Sequence, residues 1–307
     1  MYTIETYTTI SESSDYTLPQ KYLDNVSILH KCLGVHNLPV KSMHVDNRRL
    51  KNDSANNWKK KEDFKATVMV KKEGCETLIG ELKKQLNKMT TANYDTQLGL
   101  ILENMDLIRH FYDGDEDGED KSMDGLSQAM VVMLHVACNN KYHSGLYAKL
   151  FSHLSTIYPY FLDEKVDIYE KLLSSFDDIE IVDPNEDYDN FCIMNKKNDA
   201  RRAHMLFVIN LFKCEIFTID QLTVTITKLI DMISQQVNDS NRVEYTNELT
   251  EIINVFVTNM ISEIKTNNEL RFVNEKIIEY SKYKTKDYPG LSSRTIFKYM
   301  DMVDMFK

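Results

Sequence analysis

From about Gly74 to its last residue the chain carries ten or so apolar stripes at helical spacing, and no stretch between them is strand-like and long enough to build a sheet. Apolar residues recurring at three- and four-residue steps mark helices that each bury one face. Leu78, Ile79, Leu82, Leu86 and Met89 form one such stripe. Leu98, Ile101, Leu102, Met105 and Ile108 form the next, after the polar break Thr90-Thr91-Ala92-Asn93. Two helices joined by a short polar turn make an antiparallel hairpin. Leu126 to Ala137 pairs in the same way with Leu146 to Ile157, and Val166 to Phe176 with Met205 to Phe212 across a loop containing proline and aspartate. Leu222 to Ile233 then pairs with Leu249 to Phe256, and Val273 to Ile278 with Ile296, Phe297, Met300 and Val303. A lone amphipathic hairpin cannot bury its own stripe. The expected fold is therefore all-α, an α-solenoid of about five antiparallel helix pairs spanning residues 73–307. The alternative is an irregular helical domain, since no repeat signature recurs cleanly.

Composition supports a real core, with 42% of 307 residues hydrophobic, and the formal charge of −10 excludes a protein coated in nucleic-acid-binding charge. Distribution matters more than the sum. Basic residues cluster early, including Arg48, Arg49, Lys59, Lys60 and Lys61, with smaller groups at Lys196, Lys197, Arg201, Arg202 and at Lys282, Lys284, Lys286. Acid concentrates in residues 113–120 and 177–189. The five cysteines are far apart and lack CxxC spacing, which reads as reduced intracellular thiols. No cleavable signal and no membrane-length apolar run is visible, so a cytoplasmic protein is expected, with no membrane partner.

Residues 1–72 are different in kind: polar, charged and without periodicity, they read as an extended arm. One apolar island, Tyr22, Val26, Ile28, Leu29 and Leu33, interrupts it. Islands of this type dock back on their own domain or fold on a partner. No phosphate loop, GxGxxG, HExxH, nucleophile elbow or Cys-His pairing appears, so no enzyme activity and no cofactor are expected. Asp113, Asp115, Asp117, Gly118 and Asp124 reproduce part of a calcium loop, but Asp120 sits where an apolar residue belongs. The preferred reading is a solvated acidic loop.

Four segments then converge on one family. Asn56-Asn57-Trp58-Lys59, Leu86-Asn87-Lys88-Met89-Thr90, Ala200-Arg201-Arg202 with residues 207–213, and Ser292-Ser293-Arg294-Thr295-Ile296-Phe297 with residues 301–304 stand in matching order. Together they resemble the middle domain of eukaryotic translation initiation factor 4G, over residues 56 to 307. The resemblance implies a HEAT-repeat solenoid that grips the two lobes of a DEAD-box helicase, initiation factor 4A, at opposite ends. Carried over by position, Trp58 is the anchor ahead of the first repeat, and Arg294, Asp301 and Asp304 are the contacts on the last hairpin. Phe297 is expected in the core, as are Phe207 and Phe212. Three positions depart from the family: Ile296 stands for an arginine, Asn210 for an acid and Ile209 for a glycine, which implies a weaker or differently tuned helicase contact.

The same resemblance makes Tyr22, Ile28 and Leu29 a degenerate site for a cap-binding protein of the initiation factor 4E type, with a spacing one residue too long. It also implies mRNA binding without sequence readout, through Arg48, Arg49, Lys59, Lys60 and Lys61 beside Trp58 and through Lys196, Lys197, Arg201 and Arg202. Lys282, Lys284 and Lys286 read as a solvated face. The alternative assignment is an adaptor of the same fold in nonsense-mediated decay, splicing or nuclear cap-binding complexes.

Overall fold

The apolar stripes become helices. A computed structural model describes residues 74–113 and 122–307, all within one compact unit, Met69–Lys307. The described residues contain α-helices joined by short 3-10 turns and no strand: α1 (Cys75–Lys88), α2 (Tyr94–Asp113), α3 (Ser122–Asn139), α4 (Ser144–Ile157), α5 (Glu164–Ser175), α6 (Tyr188–Lys213), α7 (Ile219–Gln236), α8 (Val243–Thr266), α9 (Arg271–Ser281) and α10 (Ser293–Met305). The chain is all-α.

Local chemistry sets several of the boundaries. The Asp187 carboxylate accepts the Asn190 N–H at 3.0 Å and starts α6. Thr218 and Gln221 close a capping box on α7. The inward faces follow the expected spacing: Leu222, Ile226, Leu229 and Ile233 on α7 and Leu249, Ile252, Ile253 and Phe256 on α8 are completely or almost completely buried. Full burial of side chains of this size contributes about 1.5–3 kcal/mol each.

Neighbours pack as α1 with α2, α7 with α8 and α9 with α10. The second expected pair differs, because α3 and α4 each pack more extensively on α6 than on each other. At 26 residues, α6 is also far longer than its apolar stripe suggests. Its first half, with Asn195, Lys196, Lys197 and Asn198, is helical although its apolar residues Phe191, Cys192, Ile193 and Met194 run together rather than recurring at helical spacing. Helices α4, α6, α8 and α10 lie side by side in that order, and this succession places the residues considered next.

Candidate functional site

Helix α10 shows how local sequence sets a face. Ser292 Oγ accepts the Thr295 N–H at 3.1 Å and caps the helix. Thr295, Ile296, Tyr299 and Met302 then turn inward. The Tyr299 hydroxyl lies 3.1 Å from that of Thr250, and burial pushes the phenol well above the ordinary tyrosine range. With those residues inside, Arg294, Phe297, Asp301 and Asp304 face outward. Phe297 is therefore not core but 61% exposed, with Met300 at 43% beside it. The buried stripe runs through Tyr299, so a stripe read through Phe297 and Met300 is rotated by one residue, about 100°. Asp304 carries one exposed ion pair, to Lys307 at 2.6 Å.

An ionic ladder ties this helix to its neighbours. Glu251 on α8 pairs with Arg294 at 2.9 Å and with Lys298 at 3.3 Å. One turn earlier, Glu248 faces α6, its Oε1 3.3 Å from Arg202 Nε. That nitrogen donates to the Asn198 carbonyl at 3.2 Å, and the Glu248 Oε1 is buried with no hydrogen bond. Burial pushes the Glu248 carboxyl up to about 7, with Arg202 and Arg201 opposing the rise.

Arg201 and Arg202 are consecutive and have different surroundings. Arg201 is buried: its Nε donates to the Ser175 carbonyl at 2.7 Å, Nη2 to the Asp178 carbonyl at 3.2 Å and Nη1 to Asn198 Oδ1 at 2.5 Å. Its guanidinium holds the loop after α5 against α6, which corrects its assignment to RNA phosphate. Arg202 is engaged by Glu248 and, at 3.7 Å, Asp199. Lys197 pairs with Glu180 at 2.8 Å. Lys196 is exposed and has no ion pair among the described residues.

An open groove of about 620 Å³ lies between the loop at residues 179–185, the first half of α6 and the start of α8. Ile181, Phe191 and Met194 line it, together with Arg202, Glu248, Glu251 and Arg294. It brings together arginines from two separate motifs, which the sequence places far apart. A second cavity, of about 730 Å³, holds Cys138 and His204. Burial pushes the Cys138 thiol up to about 12 and the His204 imidazole down to about 4, the latter against a backbone hydrogen bond at Ile168. A thiol so raised is a poor nucleophile at neutral pH, and the His204 Nε2 is buried without a partner.

Trp58, Tyr22, Ile28, Leu29, Arg48, Arg49, Lys59, Lys60 and Lys61 lie outside the described residues, as do residues 114–121 of the acidic loop. Lys282, Lys284 and Lys286 are exposed on the loop between α9 and α10, as their solvated reading expects. The sequence reading missed Glu248 and Glu251. Their signal is two acids, three residues apart, bordering the stripe Leu249, Ile252, Ile253 and Phe256. No described helix is long and apolar enough to cross a membrane. No protein-family model matches the chain, and no curated protein matches it.

Proposed function

We propose that the helical unit is a HEAT-like α-solenoid acting as a non-enzymatic scaffold in translation initiation, and that it docks a DEAD-box helicase of the initiation factor 4A type. One observation carries this reading. Two of the helical segments that carry the resemblance, residues 200–213 and 292–304, sit on either side of α8, and Arg202 and Arg294 line one groove there. Beyond the groove, α10 presents Arg294, Phe297, Asp301 and Asp304 to solvent on one face. An aromatic ring in a charged surround is the usual composition of an interface anchor. The side-by-side order of α4, α6, α8 and α10 supports the solenoid.

A scaffold accelerates a two-lobed helicase by binding one arrangement of its lobes more tightly than the others. The α10 face serves one lobe and Trp58 the other. The Tyr22 segment connects the complex to a cap-binding protein of the initiation factor 4E type, and the early basic cluster connects it to mRNA.

The test is ATP hydrolysis by purified initiation factor 4A with RNA, alone and with the full chain, a Trp58→Ala variant and an Arg294→Ala/Phe297→Ala variant. Stimulation by the native chain that is lost in both variants supports the reading. Absence of stimulation by a folded native chain, with a competent helicase, overturns it.

A further inference from the structure

We infer that the groove between α6 and α8 receives a basic, apolar-flanked segment of the protein partner, with an arginine or lysine side chain seated against Asp183 and Glu244. The inference rests on the proposal that this edge docks a protein, and it names the chemistry of what enters. The two arginines lining the groove are already engaged, Arg294 by Glu251 at 2.9 Å and Arg202 by Glu248 and the Asn198 carbonyl. Two carboxylates that line the groove have no cation among the described residues. Asp183 accepts only the backbone and side-chain N–H groups of Asn185, at 2.8 and 3.0 Å, and Glu244 only the Asn247 amide, at 3.2 Å. Glu248, more than nine-tenths buried, already has Arg202 as its cation.

Groove charge left without a cation is thus negative, which repels phosphate and acidic peptide alike and attracts a guanidinium or ammonium. The apolar part of the lining selects further. Ile181, Phe191 and Met194 offer apolar surface for the methylene stem of a long basic side chain and for a neighbouring apolar residue. Ile181 is 44% exposed, so this part is not covered from within the described chain. Arg294 lines the groove and also begins the outer face of α10, so a segment leaving the groove runs directly toward Phe297. The occupant is therefore a stretch of protein, with the basic residue in the groove and an apolar residue on α10.

Methyl-labelled nuclear magnetic resonance of the full chain tests this without any helicase, so its failure is separate from failure of the helicase reading. The probes are a short peptide alternating leucine and arginine, its leucine–glutamate counterpart and a uridine oligonucleotide. Saturable shifts of the Ile181 and Met194 methyls are expected with the arginine peptide alone. Asp183→Lys/Glu244→Lys, at two exposed positions, is expected to weaken that binding about tenfold while leaving the rest of the spectrum unchanged. Absence of saturable shifts, equal shifts with the glutamate peptide, preferential binding of the oligonucleotide, or undiminished affinity in the Asp183→Lys/Glu244→Lys variant would each overturn the inference.

Discussion

Gly290→Ala and Gly99→Ala add the same methyl group and should move stability in opposite directions. An added Cβ at Gly290 would stand 2.1 Å from the Gln236 carbonyl oxygen and 2.9 Å from the carbonyl carbon and oxygen of Val237. All three are backbone atoms at the end of α7, so no side chain can swing aside. The loop must retreat by more than about 1.3 Å to reach ordinary contact. Retreat breaks the Gly290 N–H bond to the Val237 carbonyl, 2.8 Å, and the Thr246 hydroxyl bond to the Gly290 carbonyl, 2.5 Å. Overpacking of about 1–3 kcal/mol and two hydrogen bonds at about 1 kcal/mol each sum to a loss of about 3–5 kcal/mol. Gly99 lies within α2 with nothing near its added Cβ, and alanine there should gain about 0.5–1 kcal/mol through helix propensity. For a unit of this size the first change lowers Tm by about 6–20 °C and the second raises it by about 1–4 °C. Circular dichroism melts of the full chain measure both. A Gly290→Ala protein melting within about a degree of the native chain would refute the steric argument. Because the same loop carries the Ser292 cap, the displacement should also misplace Arg294 and weaken partner binding.

Phe297→Ala should change stability by no more than about 0.5 kcal/mol while abolishing helicase stimulation, whereas Phe256→Ala, in the core, should cost about 3–5 kcal/mol; urea midpoints at unchanged m-value separate the two. Arg201→Met should cost about 3–5 kcal/mol, because two backbone carbonyls and Asn198 lose their donor, and should leave the salt dependence of RNA binding unaltered. Two buried groups oppose each other in pH. Glu248 is raised from 4.5 to about 7 by burial, so its contribution is full below 4.5 and is lost as pH rises through about 7. His204 is lowered from 6.5 to about 4, so its contribution is full above 6.5 and is lost as pH falls through about 4. Between these limits the slopes, each up to about 1.4 kcal/mol per pH unit, largely cancel. Glu248→Gln should therefore make stability rise with pH from about 5 to 6.5 in urea titrations, and a slope equal to the native one would sink the pairing.

The helices were legible because each inward stripe is local, and 3.6-residue periodicity survives whatever packs against it. The face of α10 was not, because it is decided at a distance: Tyr299 finds Thr250 at 3.1 Å and the Tyr280 ring at 5.1 Å, and Phe297 is left outside. Arg201 and Arg202 make the same point within one motif. Consecutive residues on a helix point about 100° apart, so identical side chains meet different environments, and residue type alone does not say which is structural.

The three departures from the family pattern follow from this logic. Ile209 is fully buried and Ile296 nearly so, while the Asn210 amide donates to Ser144 Oγ at 3.0 Å and joins α6 to α4. Each of these residues works within the fold. The substitutions therefore bear on packing between helices, while the positions that match the pattern on α10, Arg294, Asp301 and Asp304, are the ones turned to solvent. Restoring arginine at position 296 should cost stability, because it forces a charge into the buried face beside Tyr299, and it should add nothing to partner affinity. Tighter helicase binding by a folded Ile296→Arg variant would show instead that α10 turns over when the partner docks.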